Sequence, residues 1–449
     1  MLSNMDIIKM ELEGLYGREV LRDLAEIISL YEMYEGEGQI WEVADGLDYE
    51  PTRKRANFIK KLIKEEARFL FGREPEFRFA AADKEAADRV SEFFKRVLAY
   101  NVFSEKLIKG ARDCFIGKRV AVKLSVIDSE IRINFVPSLG FVYSVDERDF
   151  DRLESIIFFH GLNDEAEKVN QRVWKQKYWM KGNRCYVNEA VYNGYGDVVD
   201  VIYENADTGL SFIPARVIVN DGLSGDLKGE SDVAELIDSQ MVYNRIASDD
   251  IDALRFNMFP QTVAVNASEE SLKDMVIAPA ALIDLQKEIT AGDNACQLYK
   301  LESQFSYDVR IENVLNRVKS DMYELLSVPN VMAGELKGYF NSGKSIKALY
   351  WQLETRSGEK FAAWRPFLEW MAKSVILIAK QAGFLEDCDV PNDLAVRCEN
   401  VYPLLQDEID EKQSDILAVN AKVMSRKSYI KKWNPEMADA DVVLEEEEI

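Results

Sequence analysis

The stretch GYFNSGKS, residues 338–345, decides how this chain is read. It fits the phosphate-binding pattern G-x-x-x-x-G-K-[ST], with Gly338, Gly343, Lys344 and Ser345 at the fixed positions. In a true loop of this kind, glycines let backbone N–H groups curl round phosphates. The lysine then reaches the terminal phosphates and the hydroxyl holds magnesium. That chemistry needs a buried strand immediately before the loop. The preceding segment, RIENVLNRVKSDMYELLSV (310–328), instead carries Ile311, Val314, Leu315, Val318, Met322, Leu325 and Leu326 in the rhythm of one helix face. Tyr339 and Phe340 are bulky for a loop that must wrap closely round phosphate. No downstream apolar run ends in the Asp or Glu of a magnesium-side strand. Nucleotide binding by Gly338–Ser345 is therefore the weaker alternative. The plain reading is a loop whose Ser342 or a neighbour caps the next helix.

Working outward from the loop, the order of elements is distinctive. Upstream, VAELIDSQMVYNRIASDDIDALRFN (233–257) reads as a helix capped by Ser231 or Asp232, with Val233, Leu236, Ile237, Met241 and Val242 on one side and Ile246 continuing it. Acidic Glu235, Asp238, Asp249, Asp250 and Asp252 punctuate the remainder. A small strand-rich insert occupies about 258–302, and the helix before the loop follows it. After the loop, a long helix covers about 345–383 and contains Gly358 and Pro366. Proline lacks an N–H and clashes with the preceding turn, so a kink or break is expected at Pro366.

Nearer the N-terminus, residues 1–72 read as helical. PTRKRANFIKKLIKEEARFLFG is expected to be one helix from Pro51 to Gly72, with Arg53, Lys54, Arg55, Lys60, Lys61 and Lys64 as a basic face. Such a face suits acidic protein or nucleic acid, or is simply solvated. Another helical stretch covers about 84–116. From 119 to 220, β-branched and aromatic runs between turn residues predict a strand-rich, largely antiparallel region.

Composition narrows the function classes. Hydrophobic residues make up 47% and charged residues 30% of 449 residues, the balance of a folded protein. A formal net charge of −23 argues against a tight grip on duplex DNA, which needs a large basic surface. It is compatible with surrounding DNA without holding it. Cys114, Cys185, Cys296, Cys388 and Cys398 are scattered without C-x-x-C spacing, so no zinc or redox motif is read. His160 is the only histidine, which leaves Ser–His and His-metal chemistry without support. No catalytic, cofactor or metal residues are assigned. The N-terminus has no signal-peptide apolar core, and Lys373 and Lys380 interrupt the most apolar helix. Synthesis in the cytoplasm, with no membrane role, is expected.

The concatenation resembles the portal proteins of tailed double-stranded-DNA bacteriophages of the long-tailed type. It is carried by FIKKLIKEEARFLFGREPEF, NVFSEKLIKGARDCFIGKRVAVKL and GESDVAELIDSQMVYNRIASD. The longest carrier is MYELLSVPNVMAGELKGYFNSGKSIKALYWQLETRSGEKFAAWRPFLEWM, and KVMSRKSYIKKWNPEMADADVVLEEEE closes the chain. The resemblance covers about residues 50–435. It implies an α+β, mainly helical portal fold. Residues 1–230 would be the wing, with helical and strand-rich parts, and 231–257 and 303–328 the stem helices. A small α/β clip would occupy 258–302, the tunnel loop 329–345, a long kinked wing helix 346–383, and a short helical crown with an acidic tail 384–449.

The resemblance further implies a non-enzymatic ring of twelve or thirteen subunits at one capsid vertex of the virion, assembled in the host cytoplasm. Its implied partners are the terminase large subunit, the head–tail adaptor, the major capsid and scaffolding proteins, and transient, non-specific double-stranded DNA. On this reading Lys337, Tyr339, Phe340, Lys344 and Lys347 are tunnel-loop contacts to DNA. Glu235, Asp238, Asp249, Asp250 and Asp252 are candidate channel-lining acids. A non-portal structural protein is a further alternative, though it leaves the helix–insert–helix–loop–helix order unexplained.

Overall fold

The computed structural model describes residues 17–41, 49–163, 167–258, 261–269, 273, 296–301, 308–330, 347–386, 390–403 and 408–433. In chain order these form α1 (Gly17–Glu35), α2 (Phe58–Phe71), β1 (Glu76–Ala80), α3 (Lys84–Tyr100), α4 (Phe103–Gly117), β2 (Arg119–Ile127), β3 (Glu130–Pro137), β4 (Phe141–Asp146), β5 (Asp149–Gly161) and β6 (Val173–Lys181). They continue with β7 (Arg184–Tyr192), β8 (Val198–Asp207), β9 (Ala215–Val219), α5 (Ile237–Met258), β10 (Gln261–Val265), β11 (Gln297–Leu301), α6 (Asp308–Leu325), α7 (Trp351–Gln381), β12 (Ala395–Glu399), α8 (Glu408–Asn420) and α9 (Arg426–Trp433). The class is the expected α+β. The described residues divide between two compact units. One is drawn from Met1–Ile28, Leu62–Asp232 and Leu326–Ile449, the other from Ser29–Lys61 and Val233–Leu325.

In the first unit, the strand-rich region is antiparallel throughout its pairings. β2 lies between β3 and β9, and β4 to β8 form a meander in sequence order. The run Ile156–Phe159 is wholly apolar because both faces of β5 are covered. Side chains alternate along a strand, so Ile156 and Phe158 join Phe141, Tyr178 and Ala121 on one face. Ile157 and Phe159 pack with Val142 and Leu24 on the other. β1 pairs with β12, joining segments far apart in sequence. α7 buries Leu353, Phe361, Trp364, Leu368, Met371 and Val375 along one stripe. Pro366 lies inside α7, and the helix continues on both sides of it.

The helical stretch expected at 84–116 is two helices. Val102 takes a left-handed conformation, φ 50°, and ends any continuous run. The buried amide of Asn101 holds the corner, donating to the carbonyls of Val97 and Ile131 at 2.9 and 2.8 Å and accepting from the Ile133 N–H at 2.9 Å. Close packing also explains one glycine of α4. A Cβ on Gly110 would stand 2.7 Å from the ring of Phe135, so only glycine lets the helix approach β3.

In the second unit, α5 and α6 pack together and are joined through the antiparallel pair β10–β11. Here too one expected helix is shorter than its sequence pattern. Residues 51–57 are not helical, and α2 begins at Phe58. Asn57 caps it, its Oδ1 accepting from the Lys60 N–H at 2.9 Å. Arg53, Lys54 and Arg55 therefore belong to an extended strap and not to a helix face.

Candidate functional site

The strap and α5 are joined by a ladder that hydrophobic periodicity did not reveal. The buried stripe of α5 is polar, namely Gln240, Asn244, Ser248 and Asp252. These four stand at i, i+4, i+8 and i+12, one above another on a helix. Each meets a backbone N–H of the strap. Asp252 Oδ2 accepts from Thr52 at 2.9 Å, Ser248 Oγ from Lys54 at 2.9 Å, Asn244 Oδ1 from Ala56 at 2.9 Å and Gln240 Oε1 from Phe58 at 2.8 Å. Thr52 Oγ1 adds a bond to Asp252 Oδ1 at 2.6 Å, and the Gln240 amide donates back to the Ala56 carbonyl.

The spacing has a simple origin. Four helical residues rise about 6 Å and two extended residues advance about 6.6 Å, so the two repeats stay nearly in step over three intervals. Strap numbers rise as helix numbers fall, so the strap runs antiparallel to α5. Burial would raise the Asp252 carboxyl, but the two Thr52 bonds and Arg255 outweigh it and hold the group below the usual aspartate range.

This ladder changes the reading of α5. Of the expected apolar side, Val233 and Leu236 are buried, Ile237, Met241 and Ile246 are half-buried and Val242 is 45% exposed, whereas the polar Asn244 is buried. Both residues expected to cap α5 have partners elsewhere in the first unit. Ser231 Oγ donates to the Ile116 carbonyl at 2.7 Å, and Asp232 is engaged in the charge cluster described below. Of the acidic candidates, Glu235, Asp238 and Asp249 are exposed, Asp250 is half-buried and Asp252 is buried in the ladder. Lys347 is exposed, and Lys337, Tyr339, Phe340 and Lys344 lie outside the described residues. The element before the glycine-rich loop is the helix α6, not a strand. The signal that could have found the stripe is the repeat of hydrogen-bonding side chains every four residues in QMVYNRIASDDID.

The first unit holds a second arrangement missed in the sequence, a buried ionic cluster. Arg356 and Lys360, one turn apart on α7, meet Glu66 of α2 and Asp232. Arg356 Nε is 2.8 Å from Glu66 Oε1 and its NH2 nitrogen is 2.8 Å from Asp232 Oδ1. Lys360 Nζ lies 2.8 Å from Asp232 Oδ2 and 3.2 Å from the half-exposed carboxylate of Asp221. Asn220 Oδ1 also accepts from Lys360 at 2.9 Å, and the Phe115 ring lies beneath the ammonium. Burial, and then the charge of Asp232, push the Glu66 carboxyl up to about 7 against the pull of Lys360 and Arg356. Burial alone would depress Lys360, but Glu66, Asp232 and Asp221 raise it above the ordinary lysine range. The cluster clamps α2, α7 and the segment before α5 at charged contacts that substitutions would leave unpaired.

Among the described residues, no group of His, Cys, Asp and Glu is arranged to hold a metal ion. His160 packs against Trp174 with ring centroids 4.9 Å apart. Cys114, Cys185 and Cys398 are buried, and Cys388 lies outside the described residues. No described helix is long and apolar enough to cross a membrane.

Comparison with known proteins gives a family. The family described as "Phage portal protein, SPP1 Gp6-like" matches residues 16–448. No curated protein matches the chain. Among solved structures, it is similar to a chain from the neck of a native gene transfer agent particle computed with C12 symmetry. That match has 10% identity, covers 83% of this chain and 88% of the other, and has a TM-score of 0.44. A chain of the virion of a native gene transfer agent particle shows 12% identity over 88% and 89%, TM-score 0.45. One from the neck of an empty particle computed with C6 symmetry shows 12% over 90% and 92%, TM-score 0.46. Those scores add nothing to the family match, which spans nearly the whole sequence. The chain belongs to the SPP1 Gp6-like family of phage portal proteins, structural components of the capsid vertex in the virion.

Proposed function

We propose that this chain assembles into a closed ring of twelve or thirteen copies that forms the channel for DNA packaging and ejection. In this reading α5 and α6 are stem helices and the segment between them, with β10 and β11, is the clip that docks the terminase large subunit and the head–tail adaptor. Residues 1–230 and 346–383 form the wing, 384–449 the crown and tail, and 329–345 the tunnel loop. The major capsid and scaffolding proteins meet the ring from the capsid side.

The observation that carries the reading is the helix, two-stranded insert, helix order of α5, β10, β11 and α6 inside a portal-family match. Charge agrees with it. A channel that held DNA tightly would stall transport, and a subunit of net charge −23 favours weak, reversible contact. Glu235, Asp238 and Asp249 on the exposed side of the first stem helix would repel phosphates, while Lys337, Lys344 and Lys347 would touch them transiently. Asp252 is reserved for the strap.

Native mass measurement with negative-stain microscopy tests the proposal. A closed ring with a central hole is expected, because a heterologous interface that closes by rotation generates one. A chain that stays monomeric at high concentration in every buffer would refute it.

A further inference from the structure

Strand β2 places a lysine where an apolar side chain belongs. Side chains alternate along it, so Lys123 shares the face of Ala121, which packs in the core with Phe141 and Phe158. The ammonium lies over the rings of Trp174 and Phe158, 4.6 and 5.4 Å from their centroids. Among the described residues it has neither a hydrogen bond nor an ion pair. Burial pushes the amine down to about 8 against the pull of Glu189, so it is still mainly charged at pH 7. A cation in such surroundings costs free energy until a partner reaches it.

Glu189 of β7 supplies a nearby negative charge without forming that pair. Its Oε1 accepts from Trp174 Nε1 at 2.9 Å and its Oε2 from the Gln176 amide. Each oxygen keeps a further lone pair. Lys123 and Glu189 line one cavity of about 550 Å³. Its walls include Trp174, Tyr178, Ile202, Tyr203, Leu210 and Ile378, all within the first unit. Cavities of this size, largely apolar with a few convergent polar groups, suit small organic molecules.

The two charges sort the candidates. A simple anion would meet Lys123 but be repelled by Glu189, and a simple cation the reverse. A molecule carrying a carboxylate and an ammonium side by side answers both, in a gap that the two side chains do not close themselves. The geometry points to a binding site for a small zwitterion with an apolar side chain, a free α-amino acid in class, its carboxylate on Lys123 and its ammonium on Glu189. The apolar walls would take the side chain. The inference does not depend on ring assembly. If Lys123 merely threads its stem through apolar surroundings to reach water, no such ligand preference follows.

Ligand-observed NMR on the full-length chain at pH 7 tests the inference with three probes that share one ring. These are L-phenylalanine, hydrocinnamate, which lacks the ammonium, and phenethylamine, which lacks the carboxylate. Phenylalanine should bind, and each analogue should bind at least about tenfold more weakly, since each forfeits a charge-assisted hydrogen bond. Lys123→Met should erase the preference over phenethylamine, and Glu189→Gln the preference over hydrocinnamate. Thermal melting of both variants monitors folding. Lys123→Met should not lower the melting temperature, because an apolar chain replaces a cation without an ion-pair partner.

Absence of saturable phenylalanine binding would overturn the inference. So would binding of hydrocinnamate or phenethylamine as tight as that of phenylalanine, which would leave a site for a single charge. A preference that survives in either folded variant would put the ligand elsewhere and equally overturn it. The three probes are compared on the unaltered chain first, so the first two outcomes stand even if a variant fails to fold.

Discussion

Lys360 Nζ stands 2.8 Å from Asp232 Oδ2, with the side chains 3% and 1% exposed. The pair ties α7 to the segment that ends at Asp232, both within the first unit. Removing Lys360 takes one of two cations from the buried Asp232 and leaves it Arg356 alone. Lys360→Met should lower stability by about 3–5 kcal/mol, the usual consequence of breaking a buried pair. Asp232→Asn in the same background should recover part of that loss. Urea unfolding of the two single variants and the double variant measures the coupling. Strict additivity would show that the two residues act independently.

The Glu66 carboxyl is pushed up to about 7 by burial and by Asp232. In the unfolded chain a glutamate titrates near 4.3. Between these values the folded state binds the extra proton, so the contribution of this group falls as pH rises from about 4.5 to 7 and is constant below. Glu66→Gln should flatten that part of the stability profile. The check is to compare melting temperatures of the variant and the unaltered protein at pH 5 and pH 8. An unchanged difference between the two pH values would contradict the assignment.

The ladder predicts a local effect. Asn244→Leu removes the acceptor of the Ala56 N–H and also the amide that donates to Gln39 Oε1 at 3.0 Å. A buried donor left unsatisfied costs roughly 1–3 kcal/mol. Amide hydrogen exchange should accelerate at Lys54, Ala56 and Phe58, while the core of β5 keeps its protection. Equal acceleration in both places would mean that global stability, not the strap, had changed.

The glycine-rich stretch carries the proposed DNA contact. Deleting 336–342 should leave ring assembly intact and impair DNA packaging or retention, measured as DNA per procapsid with the cognate terminase. Lys344→Ala should not change nucleotide affinity. Normal packaging and retention would dismiss the loop's role, and saturable nucleotide binding lost in Lys344→Ala would restore the phosphate-loop reading.

Much of the fold was legible because periodicity reports burial. The apolar stripe of α6, the antiparallel strands from 119 to 220 and the long helix beyond residue 350 all follow from side chains repeating at the period of their element. Even the doubly covered β5 announces itself as the unbroken apolar run Ile156–Phe159. The family, and with it the structural role, was also legible in the order of elements around 231–383.

What the sequence could not decide is where polar side chains are spent. Arg53–Arg55 read as one turn of a helix because helix propensity is local. The backbone there is extended because Gln240, Asn244, Ser248 and Asp252, nearly two hundred residues away, satisfy its N–H groups. Ser231 and Asp232 looked like helix caps by type, yet one bonds the end of α4 and the other neutralises Lys360. Apolar residues signal burial by their chemistry alone. A polar residue is buried only if a partner reaches it, and the partner is chosen by the tertiary structure.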